Sequence, residues 1–258
     1  MAGQFIWHEL VTTDVDGALG FYGDVVGWTY EEMDMGGPRY VVLSANGRAM
    51  GGVMPFPPEG AGMEPVWLGY VGVDDVDEEA ARLERDRGTV HKSAADIPGI
   101  GRFAVVADPQ GAVFVLFAGS DGNADPAPFM APGHVGWNEL HTIDWEKAFT
   151  FYSGHYGWTK DEAMDMGAMG TYQLFATGGA QATGAMMNNP NMPHPAWLFY
   201  FSVPDVDAGI DRIKAGGGTI LMGPVEVPGG AWIVQAKDPR GAMFALVGMR
   251  PNFKGETA

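Results

Sequence analysis

Polar and apolar residues alternate through "FIWHELVTT" (5–13), a segment rich in β-branched and aromatic residues, and this two-residue period predicts a half-buried strand. The next segment, "DVDGALGFYGDVVG" (14–27), opens on Asp and closes on Gly, the punctuation of a capped helix. "TYEEMDM", "RYVVLSANG" and "RAMGGVMPF" follow, broken by Gly-Gly-Pro and Asn-Gly turn signals, and predict a meander of three strands. The order is βαβββ, and it recurs. "PVWLGYVGV" predicts a strand, "DVDEEAARLERDRG" a capped amphipathic helix, and "TVHKSAADI", "RFAVVADPQ" and "AVFVLFAG" three more strands, with Asp108-Pro109-Gln110-Gly111 as the last tight turn.

The whole pattern is then repeated. Displacing the sequence by 130 positions brings Trp7, Glu9, Leu10, Thr12 and Asp14 onto Trp137, Glu139, Leu140, Thr142 and Asp144. The same offset matches Phe21-Tyr22 with Phe151-Tyr152, Gly27-Trp28 with Gly157-Trp158, Tyr70 with Tyr200, and Asp108-Pro109 with Asp238-Pro239. Between the copies, "GSDGNADPAPFMAPG" has the Gly, Pro, Asp and Asn content of a linker. The expected organisation is a first domain over 1–120, a linker over 121–132 and a second domain over 133–250. Two repeats are fewer than a solenoid needs, so each copy is expected to close its own core.

Composition removes many alternatives. At 258 residues, 46% apolar, the chain can fold unaided, and it has no apolar run long enough for a membrane span and no signal-like N-terminus, so a cytoplasmic location is expected. The absence of cysteine excludes disulfides, thiolate nucleophiles and iron–sulfur clusters, and leaves only His and carboxylates as metal ligands. A net charge of −17 without a basic face argues against nucleic acid as a partner. A monomer or homodimer is expected. Walker loops, dinucleotide fingerprints and nucleophile elbows are lacking.

The segments "TTDVDGALGFYGDVVGW" and "TIDWEKAFTFYSGHYGW", with "DPQGAVFVLF" and "DPRGAMFALV" closing each copy, resemble the vicinal oxygen chelate superfamily of glyoxalase I, bleomycin-resistance proteins and extradiol dioxygenases. The resemblance covers nearly the whole chain. It implies an α+β fold of two tandem glyoxalase-like domains, each a pair of βαβββ modules forming a curved sheet cup. The concave face would bind the substrate and, in the enzymes, a divalent metal held by His, Gln and Glu that polarises vicinal oxygens. Carried onto this chain, the first-strand ligand position falls on Trp7 and Trp137, the fifth-strand position on Leu68 and Leu198, the last-strand position on Val115 and Ala245, and the fourth-strand position near Gly52 and Gly184. None of these side chains binds a metal, so no metal site and no cofactor is expected, a divalent ion remaining the alternative. A one-residue slip would bring His8 to the first position, but the pleat would then present Asn138 in the second copy.

Residues two apart on a strand share a face, so Trp7 with Glu9, and Trp137 with Glu139 and His141, are expected to look into the cups. A carboxylate beside an indole in an apolar cup is a candidate general base, which nominates Glu9 and Glu139; the alternative is that both pin the sheet by accepting hydrogen bonds. His141 has Val11 as its counterpart, which marks the second copy as the expected reactive cup. Tyr70 and Tyr200, with Trp7 and Trp137, are candidate ligand contacts, and the methionines of "AMGGVM", "ATGAMM" and "EAMDMGAMG" a candidate apolar lining. His91, His134, His155 and His194 receive no role. The leading expectation is a protein that binds a small organic molecule in at least one cup. The alternatives are a glyoxalase-like lyase, isomerase or hydroxylase acting on a ketone or aldehyde through Glu139 and His141, and a non-catalytic interaction module.

Overall fold

The computed structural model describes residues 3–60, 62–120 and 127–252; the first half of the expected linker therefore lies outside the described residues. In the first copy the elements are β1 (Phe5–Thr12), α1 (Val15–Val26), β2 (Thr29–Met33), β3 (Tyr40–Ala45), β4 (Arg48–Pro55), β5 (Val66–Gly72), α2 (Val76–Arg85), β6 (Thr89–Ile97), β7 (Gly101–Ala107) and β8 (Val113–Gly119). The second copy repeats them as β9 (Val135–Thr142), α3 (Trp145–Tyr156), β10 (Thr159–Asp165), β11 (Thr171–Ala176), β12 (Gly184–Asn188), β13 (Ala196–Val203), α4 (Val206–Ala215), β14 (Thr219–Glu226), β15 (Trp232–Lys237) and β16 (Met243–Gly248). Each helix starts where expected, because Asp14, Asp75, Asp144 and Asp205 each accept a backbone N–H of the first turn. No helix among the described residues is long and apolar enough to cross a membrane.

Each copy forms one eight-stranded sheet, in the order β2-β3-β4-β1-β5-β8-β7-β6 and its equivalent. The first strand of each module runs parallel to its fourth, and the two modules of a copy join antiparallel through β1 and β5, or β9 and β13. One face of each sheet carries Leu10, Trp67, Leu116 and their counterparts, and these belong to a single apolar cluster that includes residues of both copies and all four helices. The expectation of two separate cores is thereby corrected. Aromatic rings of the two copies meet in this cluster, Phe5 against Trp197 and Phe199, and Tyr22 against Phe201 and Phe244. Where β5 meets β13, Gly69 has no side chain, and a Cβ there would press on Phe5 and on Phe199 of the other sheet.

The seam between the copies is reciprocal. Tyr22 of α1 donates to Asp238, and Tyr152 of α3 donates to Asp108, at 3.3 and 3.2 Å. Each aspartate also holds its own Asp-Pro-x-Gly turn by accepting backbone N–H groups from the turn. The Trp67 and Trp197 indoles donate to the same two phenols. Trp28 donates to the carbonyl of Gly133, and Trp158 to that of Gly3; both glycines have positive φ and lie tight against the opposite copy, where a side chain would collide.

One contact has no counterpart. His155, to which the sequence assigned no role, lies buried on α3 with Nδ1 2.6 Å from Glu79 and Nε2 3.1 Å from Asp86, both in or beside α2. Val25 occupies the equivalent position in the first copy.

Because Asp108 and Asp238 are buried, removing either phenolic hydroxyl strands a carboxylate oxygen. Tyr22→Phe and Tyr152→Phe are each expected to cost about 1–3 kcal/mol in urea unfolding. The shared core requires that unfolding remain one transition for both variants; two transitions, only one of them displaced, would show that the copies fold separately.

Candidate functional site

The register places the expected site residues on the face opposite the core. Cross-strand partners share a face, so one row across the first sheet reads Lys92, Val105, Val115, Tyr70, Trp7. The second sheet has Met222, Gln235, Ala245, Tyr200, Trp137 in the same row. A neighbouring row reads Leu68, Glu9, Gly52, Val42, Glu31. Its counterpart contains Leu198, Glu139, Ala185 and Leu174. These faces are the cups. Leu198, Tyr200, Ala245 and Val247, with Trp137 and Ile233 against them, form a cluster separate from the shared core.

Ala185, not Gly184, therefore stands opposite Glu139. Gly184 pairs with Asn138 and matches Gly51, which pairs with His8, so the fourth-strand assignment in the second copy is corrected by one residue. His8 faces the core beside Phe5 and Phe199, and burial pushes its pKa down to about 3. It is the positional equivalent of Asn138, and the two meet across the seam between the copies. The methionines divide: Met50 and Met186 belong to the core, while Met243 lies against the second cup's apolar cluster.

At the floor of the second cup, Glu139 is 4% exposed and fully engaged. It accepts from Tyr172 at 2.6 Å, Tyr200 at 3.0 Å and Gln235 at 3.3 Å. The phenols are engaged in turn, Tyr172 accepting from the Trp137 indole and Tyr200 from Gln235. Asn189 Oδ1 accepts the N–H of Asn191, which orients the amide so that its nitrogen donates to Nδ1 of His141, 3.0 Å away. The ring proton of His141 therefore sits on Nε2, which lies 2.8 Å from Glu139. That approach is too oblique for a good hydrogen bond, so the attraction is chiefly electrostatic. Burial alone would raise the Glu139 pKa, but the His141 contact and the two phenols outweigh it and hold the carboxyl below its ordinary value.

The first cup has the same floor with fewer donors. Glu9 accepts from Tyr70 at 2.8 Å and from Tyr40, whose phenol takes the Trp7 indole N–H at 3.0 Å. Val11 replaces the histidine and Val105 the glutamine. Desolvation wins here, and the Glu9 pKa is raised. The carboxyl with raised proton affinity is therefore the one in the first copy.

Tyr40 and Tyr172 escaped the sequence reading because they are 132 residues apart, two more than the repeat offset. Aligning "RYVVL" with "TYQLF" on their shared tyrosine would have found them. Gly52 leaves space for the Tyr40 ring, since a Cβ there would collide with the phenol. Gln235 and Asn189 lack counterparts in the first copy and carried no signal.

The cups differ in their walls and in how far they are filled. Phe103 and Phe117 of the first copy correspond to Ile233 and Val247 of the second. Met130, just before β9, packs into the second cup's apolar cluster, beside a cavity of about 320 Å³ lined by Met130, Ala231, Val247 and Met249. A smaller cavity of about 60 Å³ lies at the other end, lined by His141, Asn189, Met192 and His194. The residues at the family's ligand positions do not fit a metal. They are Trp7, Gly52, Leu68 and Val115 in one cup and Trp137, Ala185, Leu198 and Ala245 in the other, and none carries a side chain that coordinates an ion. Among the described residues no three His, Asp or Glu side chains converge as a metal site would require.

Known proteins resemble this chain in sequence or in fold. The chain is 32% identical over 251 residues, 95% of both chains, to "Putative glyoxylase CFP32" of Mycobacterium tuberculosis (strain CDC 1551 / Oshkosh). It is 30% identical over 277 residues, 97% of this chain and 95% of the other, to the anthracycline biosynthesis protein DauV of Streptomyces sp. (strain C5). The Mn(II)-bound glyoxalase of Novosphingobium aromaticivorans has the same fold, with a TM-score of 0.65 at 17% identity over 98% of this chain and 86% of that one. The 2,3-dioxygenase LapB of Pseudomonas sp. KL28 matches with a TM-score of 0.63 at 15% identity over 96% and 93%. The family model for the Glyoxalase/Bleomycin resistance protein/Dioxygenase superfamily matches residues 4–116 and again 132–246. Two matches in tandem, spanning both sheets and both cups, mean that the chain belongs to this superfamily.

Proposed function

We propose that this protein binds a small organic molecule in the cup of its first copy, on a floor that uses hydrogen bonds in place of a metal ion. The observation that carries this reading is the contrast between the cups. In the second, the Glu139 carboxylate accepts from Tyr172, Tyr200 and Gln235 and Met130 packs against the apolar wall. In the first, half-buried Trp7, Val105, Phe103 and Phe117 line an apolar wall beside a carboxyl with fewer partners. An apolar concave surface with a few convergent polar groups is the usual form of a small-molecule site. The relatives named for glyoxylase activity and anthracycline biosynthesis agree with an organic ligand.

A second reading, acid–base chemistry in the same cup, is favoured by the raised proton affinity of Glu9. Here Glu9 would exchange a proton with a bound ketone or aldehyde. The pair Glu139 and His141, the sequence's first candidates for this role, is less suited, since the carboxylate is held ionised and Nδ1 of the imidazole is occupied by Asn189.

Binding is tested by a thermal-shift screen of chelator-treated protein with aromatic compounds, dicarbonyls and thiol conjugates. A ligand at one hundred times its Kd should stabilise the protein by about 2.7 kcal/mol. Val105→Arg, which fills the first cup, should abolish the shift, and Ile233→Arg, its challenge in the second, should leave it. The opposite pattern would overturn the assignment. Zn²⁺, Mn²⁺ or Ni²⁺ binding stoichiometrically with submicromolar Kd would contradict the metal-free floor.

The two glutamates should also respond oppositely to pH. A carboxyl with a raised pKa costs stability when ionised; the cost is complete above the raised value and is gone below the ordinary value of 4.5. A carboxyl with a lowered pKa contributes stability above 4.5 that is lost as pH falls through its depressed value. Glu9→Gln should therefore raise the melting temperature at pH 7, with the gain fading toward pH 4. Glu139→Gln should lower stability at pH 7 by roughly 1–3 kcal/mol. Equal effects of the two would show that the floors are equivalent.

A further inference from the structure

Four of the positions at which the first cup's wall differs from the second share a direction. Lys92 stands where the second copy has Met222, Phe103 where it has Ile233, Phe117 where it has Val247, and Val105 where it has Gln235. The first wall has gained aromatic rings and a cation and lost an amide. Phe103 and Phe117 are cross-strand partners, and Phe117 lies 6.1 Å, ring to ring, from Tyr70. Together with Trp7, which is paired with Tyr70, they make a nearly continuous aromatic surface from β7 to β1. Each ring presents a flat π-face or edge suited to another ring.

Lys92 enters this cup from the edge strand β6. Its ammonium lies over the Phe103 ring, 4.9 Å from the centroid, and its field lowers the Glu9 pKa in partial opposition to burial. Among the described residues no carboxylate forms an ion pair with it, in contrast to Arg39, Arg82, Arg102, Lys147, Arg240 and Arg250. At the opposite end of the cup, Tyr70 donates to Glu9 and, among the described residues, accepts from no donor, the glutamine that fills this role for Tyr200 being replaced by Val105. The phenol oxygen of Tyr70 can accept one more hydrogen bond. Strands lie about 4.8 Å apart, so two to three strand spacings, roughly 10–14 Å, separate the ammonium over β7 from the polar floor at β5 and β1.

We propose that the first cup binds a planar aromatic anion of at least two fused rings, its carboxylate or phenolate at Lys92, its rings on Phe103, Phe117 and Trp7, and any far hydroxyl at Tyr70. This rests on the reading that the first cup is the ligand site and adds the charge and shape of the ligand. The excess negative charge of the whole chain would disfavour such an anion, so anion preference would be a local property of this wall.

The test is isothermal titration calorimetry of the full chain with 2-naphthoate, 2-naphthylmethanol and 2-naphthylmethylammonium, which share a ring system and differ in charge. The carboxylate should bind about tenfold tighter than the alcohol, and the ammonium weakest. Lys92→Met, an exposed substitution that installs the second copy's residue, should remove the carboxylate's advantage and leave the alcohol unchanged. Phe103→Ile with Phe117→Val should weaken carboxylate and alcohol alike. Added salt should weaken only the carboxylate. If carboxylate and alcohol bind equally and Lys92→Met changes neither, the charge assignment is overturned while binding in the first cup stands. Binding of the uncharged alcohol that survives Val105→Arg would overturn the location itself, and an absence of carboxylate binding at millimolar concentration would overturn the ligand class.

Discussion

Two phenol–aspartate hydrogen bonds, Tyr22 to Asp238 and Tyr152 to Asp108, tie each copy's first helix to the other copy's last turn, and the rest of the architecture follows from that exchange. Through it, one face of each sheet is committed to a common core. A strand has only two faces, so the residues of opposite parity must line the concave sides. That is why Trp7 and Glu9, and Trp137 and Glu139, end up in the cups without any local signal directing them there. The motifs that mark the superfamily in this sequence, Phe-Tyr in the first helix and Asp-Pro-x-Gly before the last strand, turn out to be the two halves of this seam. They describe how the copies are joined and carry no information about chemistry.

With the scaffold fixed in this way, the two cups were free to diverge on the same rows of the same sheet. Glu139 has a histidine and a glutamine beside it and a lowered pKa; Glu9 faces valines at both places and has a raised one. A buried carboxylate costs several kcal/mol unless donors surround it, so the second floor, with three donors on Glu139, reads as a stabilising cross-link, while the first supplies Glu9 with two. The asymmetry of His155, which bridges two carboxylates on one seam only, shows that the divergence also reached the interface between the copies.

Much of this was legible in the sequence, because strand alternation, helix capping by aspartate and the 130-residue offset are local or periodic signals. Glu9 with Trp7 and Tyr70, and Glu139 with Trp137, His141 and Tyr200, were found by parity alone. What was not legible depended on the third dimension. Tyr40 and Tyr172 reach their glutamates from two strands away, and the loop before them differs in length between the copies, so a fixed offset misses them. The shift from Gly184 to Ala185 has the same origin. The single core was hidden because a repeat shows that two units are alike and says nothing about whether their apolar faces meet. Asn189 and His155 act through partners distant in sequence, which no spacing rule reaches.

The floor of each cup also shows how the sheet is fastened where the family's ligand positions carry no metal-coordinating side chain. In a chelating relative, side chains from several strands would converge on one ion and fasten the curved sheet at its centre. Here the convergence is on a carboxylate. Glu9 on β1 receives the phenol of Tyr70 from β5 on one side and that of Tyr40 from β3 on the other, passing over β4 where Gly52 leaves space, and the Trp7 indole closes the chain of donors. Three strands are thus fastened by hydrogen bonds to a charged or protonated acceptor, each strengthened by the low dielectric of the site. The arrangement leaves the aromatic wall beside it half-buried. Selectivity in such a cup is then set by which rings and charges line that wall, the property in which the two copies differ most.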